Sequence, residues 1–107
     1  MKGFNFASLA MGMLLVNGMS LKAADAAKGK EVFEQCSVCH NADSDEKKMG
    51  PGLKGLFKKA TLADGKTKVT EKSVQTKIDQ GGNGMPGYEE VLSKDEKTNL
   101  VAYLKTL

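Results

Sequence analysis

The chain has 107 residues, with 16 Lys and no Arg against 13 acids, a net charge of +3, two Cys, one His and no Trp. That length fits one domain, whose modest apolar core calls for a disulfide, metal or cofactor to complete it. The lysines are scattered, without a dense basic run or a set of stacking aromatics; this argues against nucleic-acid binding and leaves a solvated surface or a lysine rim facing an acidic partner.

Residues 1–25 read as a secretory signal peptide. Lys2 gives a positive start, Ala7 to Val16 form an apolar run, and Ala23, Ala24, Ala26 and Ala27 supply small residues for cleavage. Ala24-Asp25-Ala26 is the best cleavage triplet, and a cut after Ala23 is nearly equivalent. The alternative, a retained membrane anchor, is disfavoured because the run falls short of the ~20 apolar residues of a span and Asn17 interrupts it. The expected mature domain is therefore 26–107, in the periplasm or another exported compartment.

Three helices are predicted in the mature chain. The first runs from Ala26 to Val38, with Asp25 as N-cap and Val32, Phe33 and Cys36 on one side. Gly29 inside it costs about 1 kcal/mol relative to Ala, a cost that close approach of another helix would explain. The stretch Lys58 to Lys68 reads as an exposed loop turning at Asp64-Gly65. The second helix covers Glu71 to Gln80, with Thr70 as cap, Val69 and Val74 placed as a staple, and Gly81-Gly82 as its stop. Ser93-Lys94-Asp95-Glu96 is a capping box that opens the third, whose Leu100, Val101, Tyr103, Leu104 and Leu107 form a core face.

The chemistry lies in Cys36-Ser37-Val38-Cys39-His40. The spacing C-x-x-C-H reads as c-type haem attachment. Two thiols about one turn apart can add to the two vinyl groups at one edge of a haem, and the adjacent His reaches the iron from the same side. A zinc site would need a fourth ligand, and no further Cys or His is present. A thioredoxin-like pair would need a βαβ context, and a chance match is the remaining alternative.

A six-coordinate iron needs a second axial ligand. Past the leader only Met49 and Met85 offer a thioether. Met49 follows His40 too closely to cross to the other haem face and reads as core filler. Met85 lies in the Gly-rich stretch Gly81 to Gly87, far enough on for a helix to wrap the ring. His40 and Met85 are thus the expected iron ligands. Such a pair raises the reduction potential and leaves no open position for a substrate. Gly50-Pro51-Gly52-Leu53 is a tight turn whose Pro51 carbonyl is the candidate acceptor for the second His40 nitrogen. Leu53 and Leu56 are expected along the haem edge.

These residues resemble the class I c-type cytochromes in their small bacterial mono-haem form. Cys36, Cys39 and His40 match the attachment motif, Gly50 to Leu53 the proline turn, and Met85-Pro86-Gly87-Tyr88 the distal methionine loop. The resemblance implies an all-α fold of three to four helices around one covalently bound haem c. It implies that the N- and C-terminal helices pack crosswise, with Gly29 and Phe33 meeting Tyr103 and Leu104. It further implies a non-enzymatic electron carrier, cycling between ferrous and ferric iron. Its partners would be redox proteins, with no small-molecule substrate, and the chain would be a monomer. The alternatives are a subunit dedicated to a periplasmic oxidoreductase complex and, more remotely, a haem-based ligand sensor. Many relatives place Arg and Trp near the haem propionates; this chain has neither, and Lys54, Lys58, Lys59 and Tyr88 are the candidates in their stead.

Overall fold

Residues 24–107 are described by a computed structural model; of the predicted leader 1–25, residues 1–23 lie outside the described residues. Asp25 starts helix α1 (Ala26–Phe33), its carboxylate accepting from the amides of Ala27 and Lys28. Its own amide donates to Asn99 Oδ1 at 2.8 Å, so the cap also ties the two chain ends together. The helix stops at Phe33 instead of continuing to Val38. Beyond it the chain tightens into overlapping turns, with Cys36 N and Ser37 N both donating to Phe33 O and His40 N to Cys36 O. Ser37 adds a side-chain bond to Glu34 O at 2.7 Å, the local competition that draws Ser out of regular helix.

A 3₁₀ turn at Leu56–Lys58 precedes α2 (Glu71–Gln80), which has the predicted bounds. Thr70 and Ser73 cap it reciprocally, each side chain accepting from the other's amide at 2.9 Å. Helix α3 (Lys94–Leu104) opens on the predicted Ser93–Glu96 box, with bonds of 2.8 and 3.1 Å. Among the described residues there is no strand, only isolated bridges at Thr61–Lys68 and Gly82–Met85. The fold is all-α, as expected.

Phe33, Leu56, Val74, Ile78, Leu92, Leu100, Val101 and Leu104 form the buried core. Helices α1 and α3 meet where Gly29 lies against α3: a methyl group there would stand 1.9 Å from Asn99 O and 2.8 Å from Tyr103 Cβ. The missing side chain lets the backbones approach, which explains the glycine tolerated inside α1. One turn on, the Phe33 and Tyr103 rings pack tilted with centroids 5.4 Å apart. Lys97 on α3 pairs with Asp79 on α2 at 2.9 Å, and both side chains are largely buried. The pair holds the C-terminal end of α2 against α3 and so fixes where the following loop starts.

Candidate functional site

The turns after α1 carry Cys36, Cys39 and His40 to the wall of a cavity of about 620 Å³. Pro51, Met85 and Tyr88 line the same cavity. Its size lies within the range of about 300–1,000 Å³ usual for cofactor sites. Both cysteines are free thiols. Burial, with Cys39 beside it, pushes the Cys36 thiol above the ordinary thiol range.

His40 Nδ1 lies 2.8 Å from the Pro51 carbonyl. A carbonyl only accepts, so Nδ1 carries the proton and Nε2 keeps its lone pair free for a metal. The neighbouring backbone locks the ring in place. Gly50 N donates to Cys39 O at 2.8 Å, and a methyl group on Gly50 would stand 2.5 Å from His40 Cε1. The segment Gly50-Pro51 therefore lies against the imidazole as a plate that only glycine permits.

Met85 enters from the other connector. Gly82 N donates to Met85 O at 2.9 Å, and Met85 N to Gly82 O at 3.1 Å, closing a two-residue turn. Its central residues, Asn83 and Gly84, both have positive φ, the signature of a type I′ turn and the reason for an Asn-Gly pair here. The loop then returns to α2, where Tyr88 N donates to Ile78 O at 2.8 Å and Glu89 N to Asp79 O at 3.2 Å. Tyr88 is pushed above the ordinary phenol range by burial first, then by the two cysteine sulfurs.

Other expected positions sort differently. Leu53 and Leu56 do not line the cavity: Leu56 is in the core and Leu53 packs against it. Met49 is not core filler but 79% exposed at the cavity mouth, with its sulfur 3.9 Å from Cys39 Sγ. Of the propionate candidates, Tyr88 is on the wall; Lys54, Lys58 and Lys59 are not, and Lys59 instead bonds Asp45 at 2.9 Å. The loop Lys58–Lys68 folds as a small hairpin whose tip, Leu62, Ala63 and Asp64, also lines the cavity. Asp64 holds that tip by accepting from Lys66 N, Thr67 N and the Thr67 hydroxyl, which lowers its carboxyl to about 2. Sequence reading passed over this wall and over Lys77, which also borders the cavity; the one signal for the hairpin was the apolar Leu62 inside a polar loop.

Two thiols, an imidazole with a free Nε2 and a thioether around one apolar-walled cavity are a donor set that fits an iron porphyrin held covalently. The comparisons with known proteins point the same way. A family model for cytochrome c matches residues 26–107. Cytochrome c2 of Rhodospirillum rubrum is 29% identical, over 99% of this chain and 98% of that protein. Cytochrome c2 of Blastochloris viridis is 56% identical over 36 residues, a match spanning 33% of this chain and 28% of that protein. Among solved structures, cytochrome c6 of the diatom Phaeodactylum tricornutum superposes with a TM-score of 0.61 at 26% identity, covering 78% of this chain and 93% of its own.

Proposed function

This chain belongs to the cytochrome c family, with one covalently attached haem c and electron transfer as its function, and on that premise we propose that it is an exported single-electron carrier in which Cys36 and Cys39 hold the haem and His40 and Met85 ligate its iron. The observation that carries this reading is the convergence of all four side chains on one cavity. When bound, the haem supplies an iron that takes up and releases one electron.

The protein's part is to hold its ligands still. Pro51 O accepts from Nδ1 of His40 and Gly50 keeps the ring from turning, which would leave Nε2 free to hold the iron. The Asn83-Gly84 turn fixes the approach of the Met85 sulfur. Rigid ligands keep reorganisation small, and two strong ligands leave no position for a substrate. Redox proteins are then the partners, meeting the molecule where Val38 and Met49 are exposed beside the cysteines.

What supports export is the leader-like stretch 1–25, together with the compartments outside the cytoplasm to which thioether attachment of this type belongs. Cleavage after Ala23 leaves Asp25 in place to cap α1 and bond Asn99, whereas cleavage after Ala26 removes both contacts. A redox titration of the purified holoprotein tests the carrier role. One reversible wave with a slope of about 59 mV per decade, the value for one electron, is expected. Rapid, tight binding of carbon monoxide to the ferrous protein would reveal an open iron position and contradict it.

A further inference from the structure

We propose that Lys77 is the positioning residue of the methionine loop, fastening the turn that presents Met85 and placing a positive charge in the cavity wall. The proposal deepens the reading of Met85 as iron ligand and rests on it. Four successive residues, Gly81 to Gly84, have positive φ, and three of them are glycine. Such a stretch has the most conformational freedom to lose and few side chains with which to anchor itself. The return limb of the loop is bonded to α2 through Tyr88 and Glu89. The outgoing limb is held by Lys77. Its carbonyl accepts from Gly81 N at 2.7 Å, and its ammonium reaches past the helix end to donate to Gly81 O at 3.2 Å and, more weakly, to Gly82 O at 3.4 Å. Gly82 is also the residue whose amide and carbonyl close the turn with Met85, so Lys77 fixes the base from which that turn projects.

A cation at a helix C-terminus satisfies carbonyls that have no partner within the helix and complements the dipole there. Like Lys48, which donates to Ser37 O at 2.9 Å, Lys77 is ordered by backbone carbonyls and not by a carboxylate. Lys59, Lys97 and Lys105 each pair with a carboxylate, whereas among the described residues none lies within 4.0 Å of the Lys77 ammonium. It therefore has no carboxylate in direct contact at the cavity that it lines, whose wall also carries Asp64 and Lys47. A positive charge there opposes the gain of positive charge when the iron is oxidised, so it favours the ferrous state.

Imidazole titration of the ferric holoprotein, with the reduction potential measured alongside, tests this in the variants Lys77→Met, Lys77→Arg and Met85→Ala. Imidazole binds by displacing the distal ligand, so a loosened loop shows as tighter imidazole binding. Lys77→Met is expected to bind imidazole about tenfold more tightly than wild type, the counterpart of losing charge-assisted bonds in a partly exposed site, and to have a lower potential. Lys77→Arg, which keeps charge and donors, is expected to restore both. An unchanged imidazole affinity and potential in Lys77→Met, with affinity raised in Met85→Ala, overturns the Lys77 assignment alone, even if thermal stability falls. An affinity in Met85→Ala no higher than in wild type overturns the ligation reading and the Lys77 proposal with it.

Discussion

Replacing Cys36 and Cys39 together by alanine is expected to abolish covalent haem and, with it, the folded state. The first effect is chemical: no other thiol exists in the chain to form a thioether. The second is a matter of packing. Among the described residues the buried core comprises eight hydrophobic side chains, beside a cavity of about 620 Å³. A variant without the haem leaves the apolar part of that cavity wall without a packing partner, and unfilled space of this kind is destabilising. A small domain has only about 5–15 kcal/mol of stability to lose. Helices α1 and α3 still meet at Gly29 and Tyr103 in such a variant, but the turns carrying His40 and Met85 lose what they close upon. The expected result is haem extractable into acidic organic solvent, together with a circular-dichroism spectrum of greatly reduced helicity. Haem retained through denaturation in the double variant would refute the attachment site.

Met85→Ala has the second largest effect, and on function more than on fold. Met85 is only half-buried and lies on a turn closed by its own backbone, so the variant is expected to keep its helices and its haem. On the proposed ligation, loss of the thioether removes a ligand that favours ferrous iron, and the potential should fall by something on the order of 0.1–0.2 V, within the ~0.8 V span that axial ligands command. The far-red band that marks methionine sulfur on ferric haem should vanish. A variant with unchanged potential and ferric spectrum would assign the distal position to another residue.

The parts of the molecule that follow from local rules were legible in the amino-acid order. Thr70 and Gly81 bound α2, and Ser93 with Glu96 starts α3, because caps and stops act over three or four residues. The attachment motif and the proline turn are equally local, and the Pro51 bond to His40 joins segments only eleven residues apart. The early end of α1 was less visible: periodicity continues through Cys36, but Ser37 and the tightening of hydrogen bonds onto Phe33 end the helix first. Contacts that depend on how the loops fold back were not legible, even where they are short in sequence, as from Lys77 to Gly81. Lys77 reads as one more solvated lysine until the Gly-rich loop folds back beneath its ammonium. The Leu62–Asp64 tip reads as an exposed turn until the hairpin lays it along the cavity. Leu53 illustrates the opposite case, a residue whose place beside a motif suggested the cavity wall but whose side chain packs against the core.

The central claim, one haem held covalently by this chain, is tested most directly by the intact mass of the exported protein under denaturing conditions, read together with its reduced optical spectrum. The account predicts a single species, the mature polypeptide plus one haem, with the sharp bands of low-spin ferrous haem c. A denatured mass equal to the polypeptide alone, with the haem colour released into solution, would contradict it.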